Sequence, residues 1–187
     1  MGLRIEKTFQ VDEPLEKVWS FLSDPAKVAT CVPGAKLTER VDENNYKGTI
    51  SVKVGPSVTD YKGEIQIIRV DAVVYEIEMV GKGQDVKGRG SASMTMTGKL
   101  ATTDGGATQV TSISEVSVVG ILAQMGSRVI TEVSNIMFEK FSKNFQALLE
   151  APQDQLLATG TDGKPEPIKA GSLAWQAGKR LFKRDDS

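Results

Sequence analysis

After Gly120 the apolar residues of this chain stop alternating and recur every three or four positions. That change of period limits the possible fold more than any other feature. Leu122, Met125, Val129, Val133, Ile136, Met137, Phe141, Phe145 and Leu148 form one stripe that ends near Glu150. A period of about 3.6 marks a helix with one buried face. At ~1.5 Å per residue such a helix runs about 40 Å, long enough to lie across a whole sheet. The sequence before Gly120 supplies that sheet.

Arg4 to Val11 alternates polar and apolar residues and reads as a first strand. Asp12-Glu13-Pro14 then opens a helix, because proline is tolerated in the first turn and acids suit the positive end. Leu15, Val18, Trp19 and Leu22 give it an apolar face. Asp24-Pro25 starts a second short helix with Asp24 as its cap, and Cys31-Val32-Pro33-Gly34 turns the chain out of it. Strands are expected at Ala35 to Val41, Tyr46 to Val54, Val58 to Val70, Val73 to Gly81, Val86 to Leu100 and Gln109 to Val119. The separators Asp42-Glu43-Asn44-Asn45, Gly55-Pro56, Asp71-Ala72, Gly83-Gln84-Asp85 and Asp104-Gly105-Gly106 are hairpin chemistry. The expected class is α+β: a curved antiparallel sheet of about seven strands around a long C-terminal helix, with two short helices between strands 1 and 2.

Several function classes drop out on composition. The 187 residues include no histidine, which removes Ser-His-Asp and Cys-His mechanisms and the commonest metal ligand. Cys31 is the only cysteine, so there is neither a disulfide framework nor a Cys-based zinc site. No Walker loop, nucleophile elbow or dinucleotide fingerprint occurs. A non-catalytic protein without metal or covalent cofactor is the expectation. Lys and Arg total 23 against 24 Asp and Glu, so no global basic field recruits nucleic acid. Residues 1–6 lack an apolar targeting core, and no stretch approaches the roughly 20 apolar residues that span a bilayer. A cytoplasmic, non-integral protein is expected.

Residues 1–150 are read as one folded domain and 151–171, rich in Pro, Gly, Thr and Asp, as a flexible linker. Residues 172–187 form a basic amphipathic tail in which Trp175 and Phe182 accompany Lys179, Arg180, Lys183 and Arg184. Such a segment can rest on an anionic leaflet, each basic charge contributing on the order of 1 kcal/mol near the surface. A tail that docks on a protein would look the same.

The order strand, two helices, six strands, long helix is the helix-grip arrangement of START-like ligand-binding domains. Local wording narrows the likeness. Val18-Trp19-Ser20-Phe21-Leu22-Ser23-Asp24-Pro25 is followed by Cys31-Val32-Pro33-Gly34-Ala35, Val52-Lys53-Val54-Gly55-Pro56, Tyr61-Lys62-Gly63, Gly88-Arg89-Gly90-Ser91-Ala92 and Gly120-Ile121-Leu122-Ala123. In these motifs, and over residues 3–149, the chain resembles the carbon monoxide dehydrogenase G-subunit family. The resemblance implies a non-catalytic accessory protein of a carbon monoxide dehydrogenase-type molybdenum oxidoreductase, associated peripherally with the inner face of the cell membrane and binding respiratory quinone of the menaquinone kind. The tail is then the expected tie.

One strand carries a matching oddity. On the stretch Val86 to Leu100, Gly88, Gly90, Ala92, Met94 and Met96 share one face. Small residues under a helix leave space that close packing would normally fill. Residue by residue, glycine that permits curvature and methionine in an ordinary core are the better explanation. Together with the resemblance they point to an apolar cavity under the long helix, walled by Met79, Gly90, Ala92, Met94, Met96, Met125, Val129 and Val133. Tyr46, Tyr61 and Tyr75 are candidates to donate a hydroxyl to a quinone carbonyl, and Tyr61, inside the matching Tyr61-Lys62-Gly63 motif, ranks first. Cys31 reads as a small buried residue, since only Lys27 and Lys36 lie near it to activate a thiol. Two competing readings remain: an assembly factor whose cavity is incidental, and an enzyme acting on a hydrophobic ketone or polyketide through Glu115, Tyr61 or Glu78.

Overall fold

A computed structural model of the chain describes residues 2–152. Strand β1 (Gly2–Val11) leads into helices α1 (Leu15–Leu22) and α2 (Pro25–Cys31). Strands β2 (Ala35–Arg40), β3 (Asn45–Val54), β4 (Ser57–Asp71), β5 (Glu76–Asp85), β6 (Gly90–Thr102) and β7 (Thr108–Gly120) follow, then helices α3 (Ile121–Gln124) and α4 (Ser127–Glu150). The seven strands form one sheet in the order β1-β7-β6-β5-β4-β3-β2. Every neighbouring pair is antiparallel. Strands β2 to β7 are thus a meander, and β1 returns beside β7, so α1 and α2 carry the chain from one edge of the sheet to the other.

The local chemistry explains the helices. Asp24 Oδ1 accepts from the backbone N–H of Ala26 at 3.0 Å and of Lys27 at 3.4 Å, which satisfies two of the orphan donors that open α2. Helix α1 buries Val18 and Phe21. Its Trp19 packs on the cluster Tyr46, Ile67 and Ile77 and meets the Tyr75 ring edge-on at 5.5 Å.

The C-terminal half of α4 is pinned to β1 and α2. Phe9 meets Phe138, Phe141 and Phe145 edge-on at 5.6, 6.2 and 6.2 Å, and Phe141 stacks on Phe145 at 5.8 Å. Asn144 Nδ2 donates to the Cys31 carbonyl at 3.0 Å, and Gln146 Nε2 donates to that of Gln10 at 3.1 Å. Buried Thr108 donates its hydroxyl to the Glu13 carbonyl at 2.7 Å, fixing the entry to α1 on the sheet.

Three boundaries depart from expectation. Gly83-Gln84-Asp85 is not a turn: β5 continues to Asp85, and the chain reverses at Val86 to Arg89. Asp85 organises that reversal, accepting the Lys87 N–H on Oδ1 at 2.8 Å and the Gly88 N–H on its carbonyl at 2.8 Å. Gly88 takes φ +70° there, so it leaves the strand face on which the alternation had set it. At the other end of β5, Val73 and Val74 lie in the turn, 89% and 57% exposed, because Tyr75 adopts φ +52° and the strand starts only at Glu76. The long helix, finally, is interrupted. Gly126 at φ +86° separates α3 from α4, which puts Met125 in the break. The break resets the helical phase: Ile130, Phe145 and Leu149 are the buried residues of α4, whereas Ile136 is 47% exposed.

Candidate functional site

Alternation and register place the inward-facing residues in rows across the sheet. One row runs Ile5, Ser114, Met96, Met79, Ile67. The next runs Leu3, Val116, Met94, Gly81, Ile65, Tyr46. Beyond it lie Val118, Ala92, Gly83, Gly63, Gly48 and Leu37, and then Asp85, Tyr61, Ile50 and Ala35. Helix α1 covers this same inner face, since Trp19 packs on the cluster Tyr46, Ile67 and Ile77, against which Met79 also packs.

Burial varies systematically along those rows. At the end nearest α1, Val11, Val110, Leu100, Ile77 and Ile67 are buried. Toward the middle, Met79, Gly81, Gly83, Ala92, Met94 and Met96 are only half-buried, as are Ser114 and Val116. At the far end Thr59, Tyr61, Asp85 and Val118 are buried again. The floor in the middle is therefore less completely covered than its two ends. Helix α4 makes its main backbone approaches to α2 and to β1 and β3, toward the two sides of the sheet. Val129 and Val133 of α4 are half-buried, and Met125 in the helix break is 40% exposed.

Of the expected cavity residues, Met79, Ala92, Met94 and Met96 thus come together on this floor, and Tyr61 closes one end. Gly90 sits at the same end for a different reason. A Cβ there would come within 2.2 Å of the Val119 carbonyl oxygen, so the close approach of β7 demands glycine. Residues that sequence reasoning overlooked are Gly81, Gly83, Ile65 and Val116. Gly81 and Gly83 keep the same parity as Met79, which was the signal that the strand continued through them.

Tyr61 is 4% exposed, and its hydroxyl has no hydrogen-bond partner among the described residues. Burial pushes its pKa up, the neighbouring Asp85 charge pushes it further, and Arg89 offsets part of this. The phenol is therefore a protonated donor throughout the physiological range. Asp85 accepts from Arg89 Nε at 2.9 Å on Oδ2, and its hydrogen bond from the Lys87 N–H holds its own carboxyl below the usual range. The other tyrosines are engaged elsewhere, Tyr46 donating its hydroxyl to the Glu43 carbonyl at 3.1 Å and Tyr75 turned to Trp19.

The acids considered for catalysis do not join Tyr61. Glu115 is exposed on the outer face between Arg4 and Thr95, and Glu78 lies on the outer face 3.8 Å from Arg69. Cys31 is buried at the end of α2, donates to the Lys27 carbonyl, and has its thiol pKa raised by burial, the opposite of an activated thiol. Among the described residues no group of three or more His, Cys, Asp and Glu is arranged to hold a metal. No described helix is long and apolar enough to cross a membrane.

Two solvent-open hollows of about 400 and 330 Å³ lie away from the methionines of the floor, and both reach Tyr46. The larger is on the outer face, among Asn45, Lys47, Glu64, Gln66 and Lys82, and the smaller is beside α2, where Asp24, Arg40 and Glu43 stand with Tyr46, Ile67 and Val70. Their charged walls suit neither to hold a long apolar molecule. The tail residues Trp175, Lys179, Arg180, Phe182, Lys183 and Arg184, and the linker from residue 153 onward, lie outside the described residues.

Comparison with known proteins adds an independent line. The family model for the carbon monoxide dehydrogenase G-subunit (CoxG) matches residues 8–150. No curated protein matches the chain. A conserved protein from Geobacillus kaustophilus is similar in structure, with 24% identity and a TM-score of 0.71 over 79% of this chain and 95% of that one. A START superfamily protein from Mycobacterium smegmatis gives 11% identity and a TM-score of 0.56 over 82% and 98%. The ZhuI aromatase/cyclase from Streptomyces sp. R1128 gives 16% identity and 0.53 over 87% and 100%. At these identities the structural likenesses establish a START-like fold.

Proposed function

The chain belongs to the carbon monoxide dehydrogenase G-subunit (CoxG) family, and from that premise we propose that it is a non-catalytic carrier for a long apolar molecule. Its cargo is a respiratory quinone of the menaquinone kind, held on the inner floor of the sheet. It links a carbon monoxide dehydrogenase-type molybdenum oxidoreductase to the inner face of the cell membrane, and the basic tail with Trp175 and Phe182 is the docking element. The observation that carries the reading is the floor itself: Met79, Met94 and Met96 are apolar, face the helix layer, and remain half-buried. Apolar surface that a domain leaves uncovered in its interior is most simply covered by an apolar ligand. Methionine suits the task because its flexible thioether adapts to chains of different shape.

The test is native mass spectrometry followed by lipid extraction on protein purified with host lipids. One quinone per chain, lost in Met94→Trp, supports the carrier. Protein that stays empty when quinone is added sinks it. A second reading, an assembly or recruitment factor for the oxidoreductase, draws on the hairpin tip at Val73 and Val74, whose exposed apolar side chains fit a protein contact. Co-purification with the oxidoreductase, abolished by Val73→Glu in a protein that carries no quinone, would favour it.

A further inference from the structure

The inner face holds two kinds of glycine. At Gly48 and Gly63 a Cβ would come within 2.7 Å of the Lys36 carbonyl oxygen and 2.2 Å of that of Lys82, so backbone proximity dictates the residue. Nothing of the sort applies at Gly81 and Gly83. A Cβ on Gly81 would meet only Met94 Cε, at 4.0 Å, and one on Gly83 would stand at ordinary contact distance from Tyr61, 3.5 Å from its Cβ and 3.8 Å from Cδ1. Neither has positive φ. Glycine inside a strand weakens it relative to alanine. What these two positions keep is a low surface: only the end of Met94 stands near Gly81, and Gly83 lies under the edge of Tyr61. Gly83 lies between Gly63 and Ala92, so the floor is flat there, and Gly81 beside it is a notch between Ile65 and Met94.

A stripe of small residues carries no assignment alone, but Tyr61 supplies a second and independent observation. It stands beside Gly83 on the same face, 4% exposed, with a hydroxyl that finds no partner among the described residues. A buried hydroxyl left unsatisfied is costly, and native structures rarely keep one. Its partner has to come from beyond the described residues, and a molecule lying on the floor beside it is placed to supply one.

We propose that Gly81, Gly83 and Ala92 form a flat slot for the planar ring of the bound molecule, and that the Tyr61 hydroxyl donates a hydrogen bond to a carbonyl oxygen of that ring. This rests on the carrier reading and goes further by orienting the cargo. The ring lies on β5 at the Tyr61 end, and the apolar tail runs over Met94, Met96 and Val116 beneath α4. The slot also sets a chemical preference. Arg89 pairs with the Asp85 carboxylate across from Tyr61, so no free cation is left there for a fatty-acid carboxylate, and burial beside Tyr61 favours a neutral ring carbonyl over a charged group.

The experiment uses the full chain and three probes: 2-methyl-1,4-naphthoquinone, which is a ring without a tail, menaquinone-4, and palmitate. The tailless ring is expected to bind one per chain and more tightly than palmitate. Tyr61→Phe should weaken it about tenfold, the worth of one buried hydrogen bond. Gly83→Ala and Gly81→Val should weaken it as well, whereas Met94→Trp should reduce menaquinone-4 binding more than that of the bare ring. If Gly81→Val fails to fold, Gly83→Ala decides, since its Cβ meets only ordinary contacts. Wild-type affinity for the ring in both Tyr61→Phe and Gly83→Ala overturns the slot, and retained menaquinone-4 binding would then leave the carrier reading standing. No binding of either quinone by the wild type overturns both. Palmitate bound as tightly as the ring and weakened equally by Tyr61→Phe overturns the carbonyl assignment.

Discussion

At the end of the inner face nearest α1, Leu100, Val110, Ile77 and Ile67 are buried, with Trp19 packed on Ile67 and Ile77 and Phe9 caught among Phe138, Phe141 and Phe145. A few positions further along the same strands, the inward residues are Gly81, Gly83, Ala92, Met94 and Ser114, and they are half-buried. Alternation and ladder are the same in both stretches. What differs is side-chain volume. Large branched and aromatic groups fill the layer at one end, while small ones in the middle leave it unfilled at a cost in dispersion contacts. The filled end stabilises the domain, and the unfilled stretch is where the proposed carrier would hold its cargo.

The sharpest way to break that comparison is truncation at each place. Phe145→Ala removes a side chain with no exposed surface and should cost about 3–5 kcal/mol, whereas Met94→Ala should cost about 1 kcal/mol or less. Equal losses in urea denaturation would mean that the middle is core after all. Next in size is Thr108→Val, which leaves the Glu13 carbonyl without its donor. About 1–2 kcal/mol should be lost, seen as a lower Tm, with no change in quinone binding.

Acid pH probes the far boundary of the open stretch. Asp85 is held below the usual carboxylate range by the Lys87 N–H first and by Arg89, and Glu76 by Lys99 first and by Arg69. A carboxyl whose folded pKa is depressed contributes stability above its unfolded value, near ~4, and loses it as pH falls through the folded value. Tm should therefore be level from about pH 8 to 5 and decline below about 4. Asp85→Asn should lower Tm at neutral pH and shrink that acid decline, and an unchanged decline would show that the Asp85–Arg89 pair contributes nothing. The smallest effect is expected from Gly83→Ala, a gain of about 0.5 kcal/mol from reduced chain entropy. Stability that rises while ring binding falls would show the glycine kept for its space, and a loss of stability would show that the strand needs it.

Elements with a strong period were legible from residue spacing alone: the first strand, both short helices with the Asp24 cap, the meander and the terminal helix. The hairpin between β5 and β6 was misread because Gly83 carries the signal of a turn, and only its place opposite Gly63 and Ala92 shows it as a strand residue. Ala92, Met94 and Met96 were legible as one face because they keep one parity, Tyr61 through the motif around it, and Met79 joins them only by pairing with Met96. Gly81, Ile65 and Val116 were not, since their meaning lies in strands paired across the sheet rather than along one of them.

By itself the sequence determined the kind of fold, the chain order of its elements and the exclusion of histidine chemistry, because period and composition are local properties that survive without coordinates. Only the tertiary structure decided which glycines are held by a neighbouring backbone and which leave room. It also decided that the helix breaks at Gly126 and that the Tyr61 hydroxyl has no partner among the described residues. Each of these depends on register between strands and on what lies within a few ångströms across the sheet, distances that no spacing along the chain encodes.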